Sequence, residues 1–172
     1  MKKLIAIILF FTISMAVKAQ EQSSNWTYIK QSDLNKFEGR WIYTNGPAKF
    51  ILNLRKEKVM IKGKKNKVSI ELIQGDYSLL NNGKIVYSSA KEDQAIKSGG
   101  FHDKNKSLNK IEFIFTDLGR NSKRCHVFLE FLNDDTKKLR WVLTNTEHVL
   151  VGDQTFDPTF SVPELMTLRK VD

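Results

Sequence analysis

The single cysteine, Cys125, stands beside His126 in a run of hydrophobic residues. An imidazole next to a thiol can lower the pKa of the thiol, which makes this pair the first candidate for a nucleophile. The same run favours a β-strand, however, and adjacent side chains on a strand point to opposite faces. The two groups would then share no hydrogen bond, so the pattern favours a buried structural cysteine over a catalytic one.

Metal and catalytic motifs are missing from the rest of the sequence. The other two histidines, His102 and His148, stand far apart, and no His or Cys pair has the spacing of a metal site. Residues 99–103 combine two glycines with a histidine and an aspartate, which suits a mobile acid/base element or, more simply, a surface loop. Nucleophile elbows, phosphate loops and dinucleotide fingerprints do not occur. We expect no catalytic residues, no metal, no cofactor and no enzymatic activity.

Positive charge is concentrated in one stretch of 13 positions. One interpretation is a basic patch that attracts an anionic partner, such as a lipid head group, an anionic polysaccharide or an acidic protein. The other is a set of solubilising lysines that protect strand edges from aggregation. Nucleic acid is a poor candidate because the stretch has no interleaved aromatic residues to stack on bases. The cluster consists of Arg55, Lys56, Lys58, Lys62, Lys64, Lys65 and Lys67.

The first 19 residues have the three parts of a secretory signal peptide. Lys2 and Lys3 supply the cationic start, residues 4–17 are uncharged and mostly apolar, and Ala19 offers a small residue at the cleavage site. The apolar run is shorter than the roughly 20 residues that a membrane-spanning helix needs. We expect cleavage after Ala19 and a mature form that does not span a membrane, in the periplasm or outside the cell.

Charge also bears on self-association. The chain carries 28 Lys+Arg against 19 Asp+Glu, a net charge of +9, and loss of the three leader lysines leaves +6. This net positive charge opposes association, and one cysteine permits at most one disulfide-linked pair. We therefore expect a monomer.

The remaining chain reads as a succession of short strands separated by turn residues. Residues 20–31 form a polar N-terminal segment, and residues 32–172 are expected to form one all-β domain. Asn45-Gly46 and Asn82-Gly83 are typical hairpin turns. Eight or nine antiparallel strands suit either an up-and-down barrel or a two-sheet sandwich. The predicted strands are residues 40–44, 49–55, 58–62, 67–74, 84–89, 110–116, 125–132, 139–144 and 165–171.

Helical patterns are scarce. A short helical turn is predicted at residues 32–37, where Ser32 or Asp33 could cap it. Residues 90–97 are good helix formers and give a second candidate.

The segment of residues 33–43 resembles the G-x-W motif of lipocalins, which favours the barrel over the sandwich. The resemblance implies that Trp41 packs across the closed end of the barrel, that Gly39 lets the backbone pass closely, and that Phe37 anchors the preceding turn. It also implies a basic residue near the C-terminus stacked over that tryptophan, and Arg169 stands in a comparable place. Residues 116–118 (Thr-Asp-Leu) partly match a second lipocalin motif, with Leu where the family has Tyr.

The whole layout is also similar to a family of small exported bacterial proteins of unknown function. That resemblance implies export and a small β domain, and it implies no activity.

Together these features predict an exported, lipocalin-like binding protein for a small apolar or amphipathic ligand. The alternative is an interaction domain that meets an anionic envelope component or a protein through a basic outer surface. An interior packed solid with Phe, Leu and Ile, with no cavity above a few water volumes, would end the idea of a ligand held by the barrel and leave a structural domain.

Overall fold

The computed structural model describes residues 26–62, 67–90, 96–98, 109–133, 135–146 and 157–171. The expected leader, residues 1–19, lies outside these ranges. The chain divides into two compact units, a smaller one of residues 1–29 and 60–69 and a larger one of residues 30–59 and 70–172.

Ten strands and two short 3₁₀ helices make up the described chain. The helices are Ser32–Phe37 and Leu118–Arg120. Within the described ranges, no helix has the length and apolar character needed to cross a bilayer. The strands are β1 Trp26–Ile29, β2 Gly39–Asn45, β3 Ala48–Lys62, β4 Lys67–Asn81, β5 Lys84–Ser88, β6 Ile96–Ser98, β7 Lys110–Asp117, β8 Lys123–Leu132, β9 Asp135–Asn145 and β10 Leu165–Val171.

The larger unit is a curled antiparallel sheet. Its strands follow the order β4-β3-β2-β10-β9-β8-β7-β6, so neighbours in the sheet are neighbours in the chain except where β10 pairs with β2. β6 pairs with both β7 and β4, which brings the two ends of this order together. β5 pairs with a later part of β4. The predicted all-β, up-and-down architecture is confirmed.

Turn chemistry sets the hairpins. Asn81 pairs with Lys84, so Asn82 and Gly83 form a two-residue loop with φ values of 49° and 74°. Positive φ at both positions is the requirement of a type I′ turn, which Asn-Gly meets with little strain. The Gly46-Pro47 loop likewise joins β2 to β3 through the Asn45–Ala48 pair.

Three predicted elements differ from the observed ones. Residues 49–55 and 58–62 belong to one long strand, β3, because nothing between them breaks the extended backbone. Residues 96–98 form β6. The helix predicted at residues 90–97 is therefore wrong at its last two positions, 96 and 97. Helix propensity is a weak prior, and pairing with both β4 and β7 outweighs it.

The smaller unit contains β1 together with the ends of β3 and β4. β1 lies inside residues 20–31, where the sequence suggested only a polar segment, and it neighbours β4 in the sheet order. Lys67 Nζ lies 6.0 Å from the centre of the Trp26 ring. Tyr28, Met60 and Ile61 are exposed in this unit.

Aromatic rings pack in two layers inside the curled sheet of the larger unit. The first layer contains Phe37, Trp41 and Phe131, with ring centres 4.6 Å apart for Phe37–Phe131 and 6.2 Å for Trp41–Phe131. The second layer is a closed cycle of four rings whose neighbouring centres lie 4.8–5.7 Å apart. Its members are Phe50, Tyr77, Phe115 and Trp141. The described core is thus closely packed by rings in tilted, stacked and edge-to-face contacts.

Replacing Trp41 by Ala should lower the free energy of unfolding by about 3–5 kcal/mol, because a fully buried aromatic side chain is lost. Trp41→Phe should cost less, since a ring is kept. The control is Thr44→Ala, at an exposed position of the same strand, which should change stability by no more than about 0.5 kcal/mol. Urea unfolding followed by circular dichroism measures all three. Equal unfolding midpoints for Trp41→Ala and the parent would contradict the packing described here.

Candidate functional site

The first aromatic layer is built where the 3₁₀ helix Ser32–Phe37 leads into β2. Trp41 is fully buried, and its Nε1 donates a hydrogen bond of 2.9 Å to the carbonyl oxygen of Phe37. The helix forms as predicted, but Gln31 occupies its N-cap position and no side chain caps it. This arrangement ties the indole to the turn that precedes its own strand.

The cation over Trp41 is Lys170, which corrects the expectation of Arg169. Lys170 Nζ lies 5.2 Å from the centre of the indole ring. β10 pairs with β2 so that Lys170 is opposite Trp41, while Arg169 is opposite Ile42. Side chains directly opposite each other share a face of the sheet, so Lys170 points to the tryptophan and the exposed Arg169 points away from it.

Gly39 occupies a position that only glycine fits easily. Its φ of +120° is unfavourable for residues with a Cβ, and an added Cβ would lie 2.9 Å from Lys170 Cε. The close approach implied for Gly39 is therefore toward the side chain of the stacking lysine.

A cleft of about 550 Å³ lies at the other end of β2. Trp41 pairs with Leu52, near the start of β2, whereas the Gly46-Pro47 loop that borders the cleft follows the last residue of that strand. Four elements converge on the cleft: the β2–β3 loop, the β4–β5 hairpin, the β7–β8 connection and the segment before β10. The lining residues are Pro47, Ala48, Leu79, Leu80, Asn81, Val86, Tyr87, Gly119, Arg120, Phe160 and Ser161.

A buried carboxylate fixes two of these four elements to each other. Asp117, at the end of β7, accepts hydrogen bonds from Ser161 N at 2.7 Å and from Gly119 N at 3.1 Å, and another from Ser161 Oγ. Asp117 is fully buried, so these donors replace the water that the carboxylate has lost. Leu118 N donates to Tyr77 Oη at 2.9 Å, which joins the same turn to the second aromatic layer.

Lys123 holds the neighbouring part of the segment before β10. Its Nζ donates to the carbonyl oxygens of Asp157 and Thr159, the latter at 3.1 Å, and lies 4.6 Å from the centre of the Phe160 ring. Hydrogen bonds from Thr159 lower the pKa of Asp157. Phe160 and Ser161 are thereby set at the border of the cleft.

A second depression, of about 560 Å³, lies along β2, β3 and β10. Its lining includes Lys49, Thr167 and Arg169 from neighbouring strands of one sheet. The strands that line this second depression belong to one sheet and form only its floor. Four separate elements form the walls of the first cleft. The first cleft is therefore the better candidate for a ligand.

Cys125 and His126 lie on opposite faces of β8, as their adjacency suggested. Cys125 is fully buried, and His126 Nδ1 lies 2.6 Å from Glu112 Oε1 on the outer face. Burial raises the pKa of the Cys125 thiol from 9.0 to about 11, while Lys123 lowers it and Asp117 raises it by smaller amounts. The thiol is thus protonated at neutral pH. His102, His148 and residues 99–103 lie outside the described residues.

Two of the five described cations of the sequence cluster are held by carboxylates. In the larger unit, Arg55 pairs with Glu57 at 2.5 Å and Asp76 at 3.4 Å, and Lys56 Nζ pairs with Glu71 Oε2 at 3.1 Å. Lys58 is exposed in that unit. In the smaller unit, Lys62 and Lys67 are exposed. Lys64 and Lys65 lie outside the described residues.

Comparison with known protein families finds one match. A model described as a family of unknown function (DUF6705) matches residues 1–171. The chain belongs to the DUF6705 family. The expected membership of a family without known function is confirmed, and the DUF6705 match brings no activity with it. No curated protein and no solved structure matches the chain.

The raised pKa of Cys125 predicts a loss of stability at high pH. The unfolded thiol ionises near pH 9 and the folded thiol near pH 11. Folding therefore gains nothing from this group below pH 9, and stability falls as the pH rises from 9 to 11, where only the unfolded chain releases the proton. Urea unfolding midpoints of the parent and of Cys125→Ala are compared across this interval. The difference between them separates the contribution of Cys125 from that of the other titrating groups. A parent slope no steeper than that of the variant would contradict the assignment.

Proposed function

We propose that this DUF6705 protein is an exported binding protein for a small amphipathic molecule, which it holds without catalysis in the cleft between the β4–β5 hairpin and the segment before β10. The observation that carries the proposal is a cleft that combines apolar side chains from three elements with polar groups and one cationic side chain, Arg120. Its volume of about 550 Å³ falls within the usual range of small-molecule sites.

The lining suits an apolar chain with a negatively charged head. Leu79, Val86 and Phe160 offer apolar surface from three different elements. Val86 is 48% exposed, so this surface still faces water and is free to be covered. Arg120 is exposed and brings a guanidinium, which binds a carboxylate or phosphate through a pair of parallel hydrogen bonds.

The packed core favours the cleft over the interior as the place of binding. The second aromatic layer joins Phe50, Tyr77, Phe115 and Trp141 in one closed cycle of contacts. A ligand that entered between these rings would have to separate them and give up their mutual contacts. Binding at the end of the sheet needs no such opening.

Three further features agree with an exported carrier. The thiol of Cys125 is buried and has a raised pKa, and His126 lies on the opposite face of β8. The leader points to export, and the resemblance of residues 33–43 to lipocalins points to a family of small-molecule carriers. We propose a periplasmic or secreted protein on these grounds.

Octanoate and octanol carry the same chain with a charged and a neutral head, so titration calorimetry with both tests the cleft. Octanoate should bind more tightly than octanol. Arg120→Gln should weaken octanoate by about tenfold and leave octanol unchanged, because one charge-assisted contact is lost. Val86→Asp should weaken both, because it places a carboxylate on the apolar wall.

The matched control is Ile85→Asp. Ile85 precedes Val86, is 65% exposed and does not line the cleft, so its substitution should leave both affinities unchanged. Native mass spectrometry of the protein from its own cells gives an independent check, since a retained ligand adds a discrete mass. If neither octanol nor octanoate binds the parent, the cleft is not the site. The same follows if Val86→Asp and Ile85→Asp change the two affinities equally.

A further inference from the structure

The end of the β3–β4 hairpin, in the smaller unit, exposes large apolar side chains on both of its faces. Met60 is 60% exposed and Ile61 is 47% exposed. They are consecutive residues of β3, so they point to opposite sides of the hairpin. Side chains as large and apolar as Met and Ile are usually buried. Two of them exposed together at the end of one hairpin therefore require an explanation.

Positive charge accompanies these side chains. Lys62 and Lys67 are exposed, and the four residues between them contribute two more lysines to the sequence. Residues 60–69 contain four lysines and no acidic residue. In the larger unit, by contrast, Arg55 and Lys56 are held by carboxylates. Two described cations of the cluster, Lys62 and Lys67, are thus exposed in the same unit as the two apolar side chains.

We propose that this hairpin end, comprising Met60, Ile61, Lys62 and Lys67, docks onto an anionic lipid surface. Lysines are attracted by lipid phosphate groups, and apolar side chains beside them enter the boundary between head groups and acyl chains. Trp26 lies against Lys67 in the same unit, and tryptophan is a residue that favours this boundary.

The two-sided exposure favours a lipid surface over a protein partner. A protein that docked on one face of the hairpin would cover either Met60 or Ile61 and leave the other in water. A hairpin end that enters a lipid interface places both faces in the same medium. Lysines that only protect a strand edge would not explain the apolar pair, because exposed Met and Ile increase the risk of association.

The proposal is tested by cosedimentation with vesicles of phosphatidylcholine mixed with phosphatidylglycerol, against vesicles of phosphatidylcholine alone. The protein is expressed with its own leader, and mass spectrometry of the purified product identifies its N-terminus. The parent should bind the anionic vesicles, and added salt should weaken that binding. Lys62→Glu with Lys67→Glu should reduce the partition coefficient by at least about 25-fold, since each lysine contributes about fivefold.

Met60→Ser with Ile61→Ser should reduce partitioning by about tenfold or more, because the buried apolar area is lost. Two matched controls carry the same changes in the larger unit. Lys84→Glu with Lys137→Glu makes the same change in net charge, and Ile85→Ser with Leu165→Ser removes two side chains that are 65% and 66% exposed. Both controls should partition like the parent.

Tryptophan emission gives a second readout of the same event. Trp41 and Trp141 are fully buried, so a blue shift on adding anionic vesicles would report on Trp26 beside the hairpin end. The proposal is overturned if the parent ignores anionic vesicles, if it binds both vesicle types equally, or if the hairpin variants partition like their controls. Retention on heparin without vesicle binding would also overturn it, because the surface would then recognise a polyanion and not a lipid.

Discussion

The chain contains one cysteine and can form no internal disulfide, so its stability depends on the packing of its core. Aromatic rings make much of this packing in the described residues. Phe37, Trp41 and Phe131 occupy one level and a cycle of four rings occupies the next. The rings come from the 3₁₀ helix before β2 and from six different strands, so their contacts join elements that are distant in the chain. Burial of this aromatic surface contributes to the stability of the fold.

Polar groups are placed where this packing ends. Lys170 closes the first layer by lying over Trp41, and Asp117 sits beside the second layer with donors from the turn and from Ser161. Both charged groups keep partners in place of water, which is the condition for charge next to a hydrophobic core. The Cys125 thiol donates to the carbonyl oxygen of Lys123 at 3.8 Å and stays neutral, because burial raises its pKa. The core therefore excludes the chemistry that the Cys-His pair suggested.

Most strands could be predicted because their alternation and their Asn-Gly turns are local signals. β1 and β6 could not, since each is short and is stabilised by pairing with β4 rather than by its own composition. Lys170 could have been predicted in place of Arg169. Met166 and Leu168 are apolar and alternate along β10, so the next residue on the same inward face is Lys170. The cleft was beyond sequence analysis. Its walls depend on contacts such as Ser161 N to Asp117, which join residues 44 positions apart.

The packed rings of the described core also constrain how a ligand can bind. A barrel with an empty interior can surround a small molecule, whereas a cleft at the end of a packed sheet covers only part of it. Less apolar area is then buried per ligand, so a larger share of the selectivity must come from directed contacts at the border. Arg120 is the lining residue able to supply such a contact to an anion, and it follows directly from the turn that Asp117 holds. The hydrogen bonds of one buried carboxylate therefore connect the packing of the core to the chemistry of the cleft.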